Sequence, residues 1–202
     1  AENLVVNGSF EEGTTGWNLG SGASIQKGDD APDGTQYMRD DGGDWGNGSS
    51  QSVAVEPETE YVLTGSAKGD SEAPYYVGVN VDGKEIYAVF SKDSGYTDST
   101  DTDKKLAYEV HAGASDWTDF EIRFTTGSDT ESVNVYTWIN SGYGYLDNVV
   151  LTEVSGKLDW TEFDALIAEI DVMDKAEYTE DSWAEFQTVV AEAKEFKANA
   201  SD

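Results

Sequence analysis

All 21 glycines of this chain lie at or before Gly156, and none follows it. Glycine populates the backbone conformations that tight turns need and weakens helix interiors. A chain that stops using it midway therefore changes architecture at that point. Before Ser155-Gly156, short apolar runs alternate with clusters of Gly, Asp and Ser, the pattern of strands and turns. After it, Ala, Glu and Lys surround apolar residues at helical spacing. The sequence divides into an all-β region, 1–155, and an all-α region, 156–202. The first region is long enough to bury a core without covalent staples, and the chain has no cysteine with which to make any.

Period-two alternation marks the strands. Tyr61, Leu63, Gly65 and Ala67 share one face and Val62, Thr64, Ser66 and Lys68 the other. Val77, Val79 and Val81 oppose Tyr76, Gly78 and Asn80. Phe120, Ile122 and Phe124 oppose Glu121 and Arg123; Val133 and Val135 oppose Asn134, Tyr136 and Trp138. Asp82-Gly83 is a hairpin turn. Short, evenly spaced strands with turn signals between them predict a sandwich. In the second region a helix is expected from about Asp159 to Lys175, with Phe163, Leu166, Ile167 and Ile170 on one stripe. A second is expected over 179–198, capped by Thr179, with Trp183, Phe186, Val190 and Ala193 as its stripe. Two antiparallel helices leave an apolar face uncovered, which predicts a third helix beyond Asp202. The expected fold is an all-β jelly-roll sandwich with a C-terminal α-helical hairpin.

Charge narrows the function. There are 41 acidic residues against 12 basic ones, a net charge of −29. Such a field repels nucleic acid and anionic membranes, whose affinity for proteins runs through Lys and Arg. Cations and neutral ligands remain. No transmembrane run or signal peptide is visible, and Ala1-Glu2-Asn3 reads as a mature start or as the cut end of an expressed fragment. The sequons Asn7-Gly8-Ser9 and Asn47-Gly48-Ser49 read as turns.

Residues 3–151 resemble the family 4/9/22 carbohydrate-binding modules. Asn3-Leu4-Val5-Val6-Asn7-Gly8-Ser9-Phe10-Glu11 followed by Gly16-Trp17 is similar to their opening signature. Gln51-Ser52-Val53 and Glu60-Tyr61-Val62-Leu63 resemble a central strand pair, Trp117 the Trp before a long strand, and Tyr145-Leu146-Asp147-Asn148-Val149 the closing strand. The tail, through Tyr178-Thr179-Glu180-Asp181-Ser182-Trp183 and Ala191-Glu192-Ala193-Lys194, resembles two of the three helices of the FIVAR module of bacterial surface and glycan-degrading proteins. The resemblance implies a jelly roll, a structural Ca2+ and a glycan ligand.

Calcium requires several oxygen ligands together. The resemblance implies the side chains of Glu11 and Asp147 and the Ser9 carbonyl, with Asp33 and the Gln36 carbonyl as the middle contribution. Asp30, Asp40 and Asp41 compete for that middle role. Sugars present apolar C–H faces and hydroxyls, which aromatic rings and planar polar groups meet. Tyr136, Trp138 and Asn140 share a strand face opposite the valines, which directs them outward as a platform. Trp45 matches a position where relatives stack a sugar. Tyr76, Asn80 and Lys68 are expected on the same face, with Tyr87 and Tyr108 as further candidates. Trp17 and Trp117 are expected in the core.

Catalysis has little support. His111 is the only histidine, and no nucleophile elbow, phosphate loop or zinc motif accompanies it. The expected function is non-catalytic binding of an oligosaccharide or polysaccharide, by a monomeric module of a larger multidomain chain. That chain is expected to be a glycoside hydrolase, secreted or at the surface of a bacterium. The alternatives are a structural or adhesive spacer without sugar ligand, and a stand-alone lyase or glycosidase.

Overall fold

The computed structural model describes residues 2–99, 103–154 and 160–200. The chain forms two compact units, 1–155 and 156–202. The boundary at Ser155-Gly156 and the expected helix start at Asp159 lie outside the described residues.

The first unit is a two-sheet jelly-roll sandwich. Its strands are β1 (Ser24–Lys27), β2 (Gln36–Asp41), β3 (Ser50–Ala54), β4 (Glu60–Gly69), β5 (Tyr75–Val81), β6 (Lys84–Ser91), β7 (Lys105–Ala112), β8 (Thr118–Thr125), β9 (Ser132–Ile139) and β10 (Tyr143–Glu153). The first sheet has the order β1-β2-β10-β4-β8 and the second β3-β9-β5-β6-β7. Their pairs are antiparallel except β6 with β7, which run parallel.

Alternation decides what is buried. Leu63, Ile122, Leu146 and Leu151 point inward from the first sheet and meet Val77, Val79, Val135 and Ile139 from the second, all fully buried. Truncating Leu63 to Ala would cost about 2–5 kcal/mol through lost transfer energy and a cavity. Trp17 is also core: it packs 5.1 Å from Phe10 and donates through Nε1 to the Asn7 carbonyl.

One polar cluster interrupts this core. Asp40, 1% exposed on the inward side of β2, accepts hydrogen bonds from Tyr75 Oη, Thr137 Oγ1 and Ser49 Oγ, each at 2.6 Å. Two of these donors belong to strands of the second sheet, so the carboxylate ties the layers together. Burial pushes the Asp40 carboxyl above the usual carboxylate range, and the three donors pull it back.

The chain start is sewn onto the closing strand. Asn3 donates through Nδ2 to the Val149 carbonyl and accepts from the Leu151 and Val5 amides through Oδ1. Gly8 has no space for a side chain, since a Cβ there would lie 1.9 Å from the Val149 carbonyl oxygen. The Asn-Gly dipeptide is therefore a turn pressed against β10; Asn7 adopts φ 51° and donates to the Gly13 and Thr15 carbonyls.

The second unit holds α1 (Thr161–Asp171) and α2 (Glu180–Ala200). Thr179 caps α2, its Oγ1 accepting from the Ser182 amide. The helices pair antiparallel through Lys194–Asp171 and Lys197–Asp164 ion pairs, with Trp160 against Phe163 and Phe196. Val190 is buried, whereas Phe163, Trp183 and Phe186 stay half-exposed and Leu166, Val189 and Phe196 exposed. No helix among the described residues is long and apolar enough to cross a membrane.

Candidate functional site

The outer face of the second sheet is shaped by a turn and a glycine. Asp82 and Gly83 both have positive φ, 51° and 84°, as a two-residue hairpin turn between β5 and β6 requires. That turn fixes the register, placing Asn80 opposite Glu85, Gly78 opposite Tyr87 and Tyr76 opposite Val89. On the other side of β5, β9 sets Asn134, Tyr136 and Trp138 opposite the same three residues. Gly78 thus stands in register between Tyr136 and Tyr87 and leaves the space between them free of side chain. A Cβ there would come within 2.3 Å of the Ile86 carbonyl oxygen.

The result is a cavity of about 250 Å³ lined by Tyr76, Glu85, Tyr87, Lys105, Tyr136, Trp138 and Asn140. Ligand pockets commonly measure about 300–1,000 Å³, so this one is small and has room for about one ring-sized group. Trp138 is 42% exposed, and its Nε1 donates to Asn140 Oδ1 at 2.9 Å, which fixes the indole plane. Tyr76 meets Tyr87 edge-on at 5.1 Å. Glu85 and Lys105 form an ion pair at 3.3 Å on the wall. Burial, and then the Glu85 charge, push the Tyr136 phenol well above its ordinary range, so it stays a neutral hydroxyl. Four rings can cover C–H faces, and an amide, a carboxylate and an ammonium can pair with hydroxyls.

Trp45 sits on the loop before β3 and is 94% exposed. The next residue, Gly46, packs against Trp138; a Cβ there would be 2.6 Å from Cζ2. The loop therefore brings Trp45 beside the cavity without making it part of the lining.

Of the residues expected as ligand contacts, Trp138, Tyr136, Tyr76 and Asn140 come together, and Tyr87 joins them. Asn80 shares the β5 face, but its Oδ1 accepts from the Gly83 amide at 3.0 Å and serves the turn. Lys68 does not belong to this face. Strand β4 pairs with β10 and β8 in the first sheet, so Lys68 projects from the opposite side of the sandwich. Trp117 is likewise not core: it lies half-buried against Lys68 and Tyr37. The reading of the sequence missed Glu85 and Lys105. The Asp82-Gly83 turn carried the signal for Glu85, since it dictates that Glu85 faces Asn80. Lys105 arrives through a parallel pairing that no local pattern announces. His111 stacks on Phe90 and pairs with Glu109 at 2.8 Å, away from this cavity.

A second constellation gathers the residues named for a cation. Asp147 is completely buried on β10, accepting from the Asp33 amide at 2.9 Å and the Asn148 amide at 2.7 Å. Glu11 Oε1 accepts from the Thr35 and Gln36 amides at 2.7 and 2.6 Å, and Gln36 Nε2 donates to the Glu11 carbonyl at 2.9 Å. Gly34, φ 71°, makes room for that carboxylate, since a Cβ would lie 2.4 Å from Glu11 Cδ. Burial, with the Asp33 and Glu11 charges adding to it, pushes the Asp147 carboxyl up to about 6, while the two amides oppose the rise. Backbone donors hold Glu11 below the usual range.

A buried carboxylate with acidic neighbours and no ion-paired base among the described residues suits a hard cation. Among the described residues, no three acidic or imidazole side chains form a metal group by themselves. A cation here would draw on carbonyls, and the half-buried Ser9 lies in the turn just before Glu11. The rivals are occupied elsewhere: Asp40 between the sheets, Asp30 with Lys68 and Trp117, and Asp41 on the Gly43 amide.

Residues 2–142 match the family model of the carbohydrate binding domain, CBM 4/9. The chain belongs to that carbohydrate binding domain family. It is similar to the tRNA nuclease WapA of Bacillus subtilis strain 168, 27% identical over 172 residues, covering 74% of this chain and 7% of the relative. It is also similar to exochitinase 1 of Streptomyces olivaceoviridis, 28% identical over 160 residues, covering 76% of this chain and 22% of the relative. The chain thus spans a small part of these curated relatives. Among solved structures, the carbohydrate-binding module TmCBM61 in complex with β-1,4-galactotriose superposes with a TM-score of 0.53 at 17% identity, covering 76% of this chain and 99% of that one. The CBM22-1–GH10 modules of Clostridium thermocellum xylanase 10B, complexed with xylohexaose, give 0.51 at 15% identity, covering 77% and 29%. These likenesses establish the fold.

Proposed function

We propose that this chain binds an oligosaccharide or polysaccharide non-catalytically through the Tyr76–Tyr87–Tyr136–Trp138 cavity. In this reading it carries a larger extracellular bacterial glycoside hydrolase to its substrate. The observation that supports this most directly is the cavity itself: four rings around a side-chain-free Gly78 on an outer sheet face, in a carbohydrate binding domain. Trp45 extends the platform, and Asn140, Glu85 and Lys105 supply the hydroxyl partners. The targeting role draws on exochitinase 1 and xylanase 10B, each longer than this chain.

A structural Ca2+ completes the reading, held by Glu11, Asp147 and Asp33 with the Ser9 and Gln36 carbonyls. It would neutralise the buried Asp147 and hold the chain start to the closing strand. The helical unit, with its half-exposed Trp183 and Phe186, is read as part of a FIVAR-like module whose third helix covers that stripe.

The test is a glycan array followed by calorimetry with the best neutral oligosaccharide. Binding that is lost in Trp138→Ala, with folding retained, supports the proposal. A folded wild type that binds no glycan would establish the spacer reading instead.

A further inference from the structure

The outer face of the first sheet carries a second aromatic surface that the cavity does not use. In register across three adjacent strands stand Arg39 on β2, Tyr145 on β10 and Lys68 on β4. Lys68 Nζ lies 4.5 Å from the Trp117 ring and 5.2 Å from that of Tyr145, and Asp30 pairs with it at 3.0 Å. Lys68 is thereby accounted for: its charge is neutralised and its ammonium is held among rings.

Arg39 is not accounted for. Its guanidinium carbon sits 4.4 Å over the Tyr143 ring, and its buried Nε has no hydrogen-bond partner. The side chain forms no ion pair among the described residues. That is unusual in a chain with 41 acidic residues to 12 basic ones. The nearby carboxylates are committed to other donors. Asp30 takes Lys68 and Trp117 Nε1, Asp70 takes the Tyr145 hydroxyl and the Tyr143 amide, and Asp41 takes the Gly43 amide. A free, stacked guanidinium is weakly hydrated and presents a planar fork that matches carboxylate and sulfate.

We infer that this face is a second saccharide site and that it takes an anionic sugar residue. The sugar's carboxylate or sulfate docks on Arg39 while its C–H face covers Tyr145. Paired strands lie about 4.8 Å apart, so the anion and the ring of one sugar residue reach both side chains. Long-range repulsion from the acidic chain makes the contact weak and short-ranged, and selects a short or sparsely charged glycan over a dense polyanion.

The probe is tri-galacturonate, with its methyl ester as the uncharged isostere, followed by amide NMR shifts at low salt. Shifts should cluster around Arg39, Tyr143 and Tyr145. Binding should weaken about tenfold or more in Arg39→Gln and for the ester, the range expected for a lost charge-assisted hydrogen bond. Arg39→Lys should fall between, because an ammonium keeps the charge and loses the planar fork. Trp138→Ala should leave this binding unchanged, which separates it from any failure at the cavity. Equal binding by acid and ester, or by wild type and a folded Arg39→Gln, would overturn the inference. So would shifts confined to Tyr76 and Trp138, or no shifts at all.

Discussion

The two outer faces of the sandwich each gather aromatic rings, but around different contents. On the second sheet Tyr76, Tyr87, Tyr136 and Trp138 surround open space beside Gly78. On the first sheet Tyr37, Tyr145 and Trp117 surround Lys68. Rings held apart by a missing side chain leave surface for a ligand. Rings closed on a cation have already used theirs, save at the Arg39 end of the row. Exposure of an aromatic residue is therefore a weaker guide to binding than what lies at the centre of its cluster.

The two faces lie on opposite sheets of one sandwich, and Asp40 is the sharpest test of how firmly those sheets are joined. Asp40→Ala would leave three buried hydroxyls without their acceptor and should cost about 3–5 kcal/mol in chemical denaturation. Burial raises the folded-state pKa of Asp40, so the folded state holds its proton to higher pH than the unfolded chain does. Its contribution is fully present below the unfolded carboxylate pKa and is lost as pH rises through the raised value. Asp40→Asn should therefore flatten the part of the stability–pH curve that declines upward from about pH 4.

Trp138→Ala should weaken neutral-glycan binding about 100-fold or more in calorimetry, as loss of a central aromatic anchor does. Its stability cost should stay near 1 kcal/mol, well short of the about 3–5 kcal/mol of a core Trp, because the ring lies on the outer sheet face and not between the sheets. A mutant that unfolds would break the distinction between filled and open clusters.

Chelation addresses the first sheet alone. If Glu11, Asp33 and Asp147 hold a calcium ion, EDTA should remove about 2–3 kcal/mol of stability relative to saturating calcium. The melting temperature should fall accordingly, and Asp147→Asn should abolish the difference. Identical melting curves with EDTA and with calcium would end the calcium reading.

The smallest effect belongs to Lys68. Lys68→Met keeps the stem that packs among the rings and removes a charge whose partner, Asp30, is well exposed. The loss should be below about 1 kcal/mol, and cavity binding should not change. A large loss of neutral-glycan affinity in this variant would mean that the two faces communicate.

A β-rich region before a helical one, the two faces of β4, β5, β8 and β9, and the Asp82-Gly83 turn were all legible in the sequence. These follow from local rules: glycine's backbone freedom, period-two alternation and the two-residue hairpin. Alternation also placed Trp138 and Tyr136 outward, since Val133 and Val135, on the opposite face of the same strand, had to go in. Which sheet each strand joined was set by long-range pairing. That choice moved Lys68 to the opposite side of the molecule from Trp138 and took Trp117 out of the core to lie beside it. Alternation states which side of its own strand a residue occupies and carries no information about that strand's neighbours. Those neighbours are set by long-range pairings such as β4 with β10 and β6 with β7. The partners of Asp40 and the approach of Asp33 to Asp147 arose in the same way. Asp40 meets Tyr75 and Thr137 only when the two sheets close over one core, and Asp33 reaches Asp147 only because β2 pairs with β10 within the first sheet.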